Sequence, residues 1–448
     1  MITYQDFQNT LNNGTSITNA VESVISAHQG SSLYLNARVA NDYFNGINRT
    51  IEQFQKFIYD TYGTKVPDIW SPNHKIACHD YRYLIIQKSL YLLGNGVSFG
   101  DPETKVALGK TFDQRAVDML IEALNGAVSF SFVNIDHIEV FSIREFAPLY
   151  DEETGALRAG VRWWQLEDGK PLRATLFEMD GYTEFIRPKN AKMTILAEKR
   201  PYKVKVAVSD ATGETILDGE NYPSFPIVPL YNYGKRSEMT GNREIFDAID
   251  LMTSGFINNV DSGEVIYWLL KNDSGMSQPE INRLIQQIKS THVVNVDAED
   301  DIQAHSPDVK YQASEAAISR LREQAYDNLM GLDIRKIAGG AATATQIKAA
   351  YEPLNNQTDL IEMQVTDWII RVLEVLGIDD MPSYTRSVIV NRTEEINALS
   401  AAADHLSEEY VCNKILELFG DIDKADEVRS QRIEEGAETF INDVEPSA

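Results

Sequence analysis

Few residues in this chain have types and spacings that could do chemistry, and each candidate lacks part of what its chemistry needs. Gly109-Lys110-Thr111 has the ending of a phosphate-binding loop, but that loop opens with a glycine five residues earlier, where this chain has Thr104. His74, Cys78 and His79 offer imidazole and thiol groups to a metal. Side chains at i and i+1 diverge on a helix, however, and no further ligand lies at useful spacing, so a structural role is the expectation. Asp421, Asp423 and Asp426 imitate the opening of a calcium loop without its glycine or its closing bidentate glutamate, and read as solvated acidic surface. The chain carries no Gly-x-Ser-x-Gly elbow, no His-Glu-x-x-His pair and no cysteine nucleophile signature. The expectation is a protein without a catalytic site, metal or cofactor.

Composition narrows the class further. The chain has 448 residues, 67 acidic and 41 basic, for a formal net charge of -26. That balance argues against a protein that grips nucleic acid by neutralising phosphates, although an acidic wall suits a surface past which DNA slides. Simple solubility charge explains it equally well. Two cysteines far apart, Cys78 and Cys412, suggest no disulfide framework and a reducing cytoplasm. The first residues lack a signal-peptide pattern and no apolar run reaches membrane-spanning length, so no membrane partner is expected.

The elements that would position these side chains change character along the chain. The first third reads as mainly helical, with a helix from Ile76 to Leu93 stopped by Gly94-Asn95-Gly96 and followed by a strand-like Val97-Ser98-Phe99. From about Val128 to Tyr231 short alternating segments replace helical periodicity, including Ser129 to Val133, Gly160 to Gln165, Ala174 to Glu178 and Tyr202 to Val208. Turns are expected between them at Glu153-Thr154-Gly155, Asp168-Gly169, Asp180-Gly181 and Asp218-Gly219. Between Lys170 and Lys205 nine basic residues face four acidic ones, as a solvated sheet face or a binding patch.

Apolar residues Ile245, Ile249, Met252, Phe256 and Val260 then lie on one helical stripe. A small α/β insert follows, with a strand from Val265 to Leu270, a helix opened by a capping box at Ser277 and Glu280, a strand from His292 to Val296, and an acidic stretch through Asp301. A second helix carries Ile318, Leu321, Ala325, Leu329 and Leu332. The small residues Ala338 to Thr343 read as a mobile loop. A long third stripe runs through Ile347, Tyr351, Leu354, Ile361, Val365, Trp368, Val372 and Leu376. Pro353 inside it should kink or break the helix. After the strand-like Ser387 to Val390 the chain returns to helix, and its last stretch from Asp421 holds nine acidic and three basic residues.

This order of elements resembles the phage portal family of the Gp6-like type found in siphophages. Tyr43-Phe44-Asn45-Gly46 looks like the family's N-terminal tyrosine-glycine segment, and Tyr91 to Phe99 resembles its helix-ending signature. Phe225-Pro226-Ile227-Val228-Pro229-Leu230-Tyr231-Asn232 is similar to a family strand. Ile249-Asp250, Ser254 and Asn258-Asn259 resemble the helix after it. Ala344 to Tyr351 looks like the opening of the family's long tunnel-side helix, and Asn391-Arg392 like the pair that closes the strand before its last helices.

The resemblance implies a helix-rich α+β portal fold that assembles as a ring around a central channel. Residues 1–240 would form a wing, 241–264 a stem helix, 265–310 a clip, 311–332 a second stem helix and 333–345 a tunnel loop. Residues 346–392 would be the long kinked helix and return to the wing, and 393–448 a crown of C-terminal helices. Arg335, Lys336, Ala338, Gly339, Gly340, Ala341 and Thr343 would line the constriction, and Trp268, Ser277 and Glu280 would belong to the clip. Arg335 and Lys336 would touch phosphates or, alternatively, serve as cations at a helix C-terminus. The implied partners are other copies of the chain in a homododecamer ring, double-stranded DNA as cargo, the terminase large subunit, major capsid and scaffold proteins, and a head-completion adaptor. The implied location is the virion vertex, after assembly in the host bacterial cytoplasm. Two other readings stay open at this point: another connector or minor capsid protein, and a metal-dependent nuclease or hydrolase.

Overall fold

The computed structural model describes residues 2–59, 63–69, 71–209, 213–263, 267–271, 301–305, 311–338, 344–387 and 405–419, with isolated positions at 279, 283, 399, 401–402, 425, 427–428 and 430–431. The chain divides into two compact units. One comprises residues 1–332 and 353–386, the other 333–352 and 387–448.

Three helices open the larger unit, α1 (Tyr4–Asn12), α2 (Ile17–Gln29) and α3 (Ser32–Phe44). Each starts where a hydroxyl accepts a free backbone N–H: Thr3 from Asp6, Ser16 from Asn19 and Ser31 from Tyr34. The short α4 (Arg49–Glu52) is capped by the Asn48 side chain. After the small hairpin β1 (Phe57–Tyr59) and β2 (Lys65–Pro67) come α5 (Asp80–Leu93), β3 (Val97–Phe99), α6 (Pro102–Leu108) and α7 (Phe112–Gly126). Helix α5 starts at Asp80, four residues later than the pattern from Ile76 suggests. The amides of Ile76 and Cys78 are bonded to side chains of another helix and cannot open this one.

The β region holds β4 (Val128–Asn134), β5 (His137–Ser142), β6 (Phe146–Tyr150), β7 (Leu157–Gln165), β8 (Leu172–Glu178), β9 (Gly181–Arg187), β10 (Thr194–Arg200), β11 (Lys203–Ser209), β12 (Gly213–Glu220) and β13 (Ile227–Tyr231). Strands β6 to β10 make a five-stranded antiparallel meander. β13, β4 and β5 make a three-stranded sheet in that order, and β11 and β12 a separate hairpin. Three of the four expected turns fall between strands. Asp218-Gly219 does not: it pairs inside β12 with Lys205 and Val204. Its glycine makes room for a neighbouring ring, since a Cβ there would come within 2.2 Å of Pro201 Cγ.

Three of the nine cations in the basic run of the β region are shown paired with acids. Lys199 pairs with Glu178 at 3.0 Å and also with Asp180, Arg200 pairs with Glu184 at 2.8 Å, and Arg187 pairs with Glu22 at 3.3 Å.

Helix α8 (Arg243–Gly263) leads to the antiparallel pair β14 (Tyr267–Lys271) and β15 (Asp301–His305), and α9 (Tyr311–Asn328) returns to pack on α8. The expected helix at Ser277 and strand at His292 to Val296 lie outside the described residues. β15 was not anticipated, because its first residue ends the acidic run. In the smaller unit α10 (Arg335–Ala338) and α12 (Glu408–Phe419) are short. Between them in sequence, α11 (Ala344–Leu376) runs 33 residues and crosses from one unit to the other. It does not break at Pro353. Proline removes one backbone bond, worth about 3 kcal/mol with its ring clash, and the fully buried Val365, Trp368 and Val372 farther along offset that loss. The boundary between the two units falls at this proline. Strand β16 (Pro382–Tyr384) then pairs with β3.

Two cores result. α1 and α2 cover the meander through Phe7, Val21, Val24, Leu149, Val161 and Phe185. The larger core joins α5, α7, the three-stranded sheet and α11. There Trp368, fully buried, donates from Nε1 to Ser131 Oγ at 2.8 Å, and that hydroxyl donates onward to the Val228 carbonyl at 3.1 Å.

Two charged groups clamp this core. Lys88 of α5, with its side chain 1% exposed, lies 2.7 Å from Glu238, whose other oxygen accepts from Asn232 at 3.0 Å. Asp380, on the surface before β16, accepts from the N–H groups of Asp101 at 3.0 Å and Gly100 at 3.1 Å and from the Thr104 hydroxyl at 2.7 Å. These bonds, led by that from the Asp101 amide, hold its pKa down to about 2.

Lys88→Met leaves a buried carboxylate without its cation and should cost about 3–5 kcal/mol, read as a lower urea midpoint at unchanged slope. Arg371→Ala, which removes the exposed pair with Asp367, should cost less than about 1 kcal/mol. Because the folded pKa of Asp380 lies below its ordinary value, its contribution is present above about pH 4 and lost as pH falls toward about 2. Asp380→Asn should therefore flatten the acid dependence of unfolding in that window, as measured by circular dichroism across a pH series.

Candidate functional site

Helix α8 has two stripes, and the informative one is polar. Asp250, Ser254 and Asn258 stand at intervals of four residues, each 5% exposed or less. They meet alternate residues of the segment before α5. Asp250 Oδ1 accepts the Cys78 N–H at 2.8 Å, Ser254 Oγ accepts the Ile76 N–H at 2.9 Å, and Asn258 Oδ1 accepts the His74 N–H at 2.6 Å. Ser254 and Asn258 also donate back to the carbonyls of Ile76 and His74, at 3.5 and 3.4 Å. Four residues of helix rise about 6.0 Å and two residues of extended chain about 6.6 Å, so the two repeats stay in step over three rungs.

The ladder continues at both ends. The second oxygen of Asp250 accepts from Asn48 Nδ2 at 2.8 Å, and beyond His74 its ring meets Asp261. One turn earlier on α8, Asp247 accepts from the Tyr43 hydroxyl and, at 3.2 Å, from Thr50. Burial, then the bond to Asp247, pushes the Tyr43 hydroxyl up to about 12. Burial also raises the pKa of Asp250 against the opposing effect of the Asn48 and Cys78 bonds.

Helix α9 is tied to the same body. Arg322 donates to Asp80 at 3.3 Å, and the Gln87 side chain bonds both the N–H and the C=O of Leu332 at 2.8 Å. The expected helix extended to Leu332, but α9 ends at Asn328. Met330 takes a left-handed conformation with φ 51°, and Gly331 lies so close to Leu84 that a Cβ would come within 2.2 Å of its Cδ2. Leu329 and Leu332 are still buried, reached from the turn rather than from the helix.

The residues nominated from sequence are not gathered into one site. Arg335 is the first residue of the four-residue helix α10. Its guanidinium grips Asp333 at 2.8 and 3.0 Å, and the same carboxylate accepts the Arg335 N–H at 3.1 Å. Lys336 and Ala338 lie in the same short helix, so Ala338 is helical where a loop was expected. Gly339, Gly340, Ala341 and Thr343 lie outside the described residues, as do Ser277, Glu280, Asp421, Asp423 and Asp426. Trp268 sits in β14 opposite Ala304, and Pro353 sits within α11. Gly109 ends α6 and packs against the Asp136 carbonyl, which would stand 2.5 Å from a Cβ, so this backbone turn is filled by protein rather than open to phosphate.

Among the described residues no group of three His, Cys, Asp or Glu side chains could hold a metal ion. No described helix is long and apolar enough to cross a membrane. The residues that sequence reasoning passed over are the polar stripe and Asp380. The available signal for the stripe was its strict four-residue spacing, which had been noted only as part of a likeness.

Comparison with known proteins gives this arrangement a family. The portal protein of Clostridium phage phiCD119 is 25% identical over 341 residues, covering 70% of this chain and 73% of that protein. Among solved structures, the neck of an empty GTA particle computed with C6 symmetry aligns with a TM-score of 0.43 at 11% identity, covering 75% of this chain and 88% of that one. The neck of a native GTA particle computed with C12 symmetry aligns at 0.41 and 13% identity, covering 73% and 86%. The sequence model of the phage portal protein family, SPP1 Gp6-like, matches residues 32–438, from the third helix through the paired helices and α11 into the tail. By that match the chain belongs to the SPP1 Gp6-like family of phage portal proteins.

Proposed function

We propose that copies of this chain close head to tail into a ring at one vertex of a tailed-phage capsid, and that double-stranded DNA passes through its central channel during packaging and ejection. The observation that carries this reading is the family match over residues 32–438. A ring of about twelve copies is the expected closed form, since a heterologous contact closes when its rotation divides the circle. The wing would be residues 1–240, and the stem α8 and α9. The clip would be 265–310, the tunnel loop 333–345, and the crown 393–448, with 346–392 returning to the wing.

The function asked of such a subunit is mechanical and electrostatic rather than catalytic. A net charge of -26 on each copy favours a wall that holds DNA off rather than gripping it. The pairing of Arg335 with Asp333 fits that role, because it neutralises the one cation beside the proposed constriction whose contacts are described. In this reading the terminase large subunit docks on the ring during filling and a head-completion adaptor replaces it. Major capsid and scaffold proteins hold the rim, and the whole is assembled in the bacterial cytoplasm and carried in the virion.

Negative-stain imaging of the purified chain should show rings with a central hole and about twelve-fold symmetry. Uniform monomers at high concentration would contradict the reading.

A further inference from the structure

His28 stands where the two cores meet. It lies in the last turn of α2 and is 2% exposed. Its ring packs steeply inclined against Tyr34 of α3 and Trp163 of β7, each at 5.7 Å between ring centres. Trp163 belongs to the smaller core. On the other side Nε2 lies 2.8 Å from the carbonyl oxygen of Ile143, a residue of the larger core in the turn between β5 and β6. A carbonyl only accepts, so Nε2 carries the hydrogen and Nδ1 is the bare nitrogen. Nδ1 is buried and has no hydrogen-bond partner among the described residues.

The site suits the neutral ring only. A proton on Nδ1 would create a buried donor with no acceptor and a charge removed from water. Burial, above all, holds the His28 pKa below its ordinary 6.5, against the Ile143 bond, which favours the cation. Charged side chains on the surrounding elements have partners of their own. Glu22 of α2 pairs with Arg187 at 3.3 Å, Arg144 beside Ile143 pairs with Glu122 at 2.9 Å, and Arg162 of β7 pairs with Glu139 at 2.9 Å. Glu145 in the same turn as Ile143 accepts the Ser142 N–H at 3.1 Å, and Arg38 and Asp42 of α3 lie one and two turns beyond Tyr34. None of these groups shifts the proton affinity of His28. The ammonium at the start of the chain does, and it opposes the cation as burial does.

We infer that His28 is an acid-released latch: while its ring is neutral it pins the end of α2 to the β5–β6 turn, and protonation frees α2 from the meander. The latch goes beyond the ring reading and does not depend on it. A proton is accepted at low cost only where the ring reaches water. Undocking α2 achieves this without breaking a strand ladder, because α2 adds no strand to either sheet, whereas opening the Trp163 side would pull β7 from between β6 and β8. The docked ring binds a proton less readily than the freed one. The latch therefore holds fully above about pH 6.5 and weakens as pH falls below it, by up to about tenfold in the docking equilibrium per pH unit, until the docked ring itself titrates. That window lies above the one in which Asp380 acts.

Hydrogen exchange of the purified full-length chain at about pH 7.5 and about pH 5.5, expressed as protection so that the intrinsic pH dependence of exchange is removed, tests the latch. The Val24 and Ile25 amides of α2 should lose about tenfold of their protection at the lower pH, while Leu176 of β8 keeps its own. His28→Gln, which keeps an amide donor for the Ile143 carbonyl and cannot titrate, should show the same α2 protection at both pH values. His28→Leu, of similar bulk and equally unable to titrate, should do the same and serves where the first variant does not fold. Unchanged protection of Val24 and Ile25 in the unmodified chain overturns the latch. So does a loss that persists in the non-titrating variants, which would assign it to another group.

Discussion

A helix that presents hydrogen-bonding side chains every fourth residue and a chain that presents amides every second residue share a repeat of about 6 Å, and the body of this protein is organised around that coincidence. Asp250, Ser254 and Asn258 take up the amides of Cys78, Ile76 and His74. Three backbone donors of a segment outside any helix or strand are satisfied, and α8 gains a defined rotation and height against α5. An apolar stripe alone would tolerate sliding along the helix axis. Rungs of side chain on backbone do not, because a shift of one residue breaks all of them together.

This rooting matters for what leaves the body at the far end of α8. The chain runs out through α8 to the β14–β15 pair and returns through α9, which is held by Arg322 on Asp80 and by Gln87 on Leu332. In a portal subunit such a pair would form the stem and transmit load between the clip and the wing. Directional polar ties at the roots of both helices suit that task better than grease, because apolar contacts resist separation but resist sliding poorly.

The legible parts of the fold were those in which one period dominated. The stripe from Ile361 to Val372 in α11 was read correctly because every fourth or third residue is large, apolar and buried. The β region was legible from its turns, with Asp218-Gly219 the exception, where the glycine serves a packing contact inside β12. The polar ladder was hidden, because Asp250, Ser254 and Asn258 look like a solvent face until the segment at 74–78 is laid over them. The end of α9 misled for the opposite reason: Leu329 and Leu332 keep helical spacing while Met330 leaves helical geometry. Of the nominated constriction, only Arg335, Lys336 and Ala338 fall in described elements, and Arg335 is engaged by Asp333, a partner two residues away that residue type alone does not reveal.

The polar ladder is the claim on which the rooting of α8 depends, and native-state hydrogen exchange of its amides is its most direct test. The account predicts that His74, Ile76 and Cys78 exchange slowly, although they lie outside any helix or strand, and that Asp250→Ala accelerates Cys78 by about tenfold or more. Exchange of Ile76 and Cys78 at the rate of an exposed loop in the unmodified protein would contradict it.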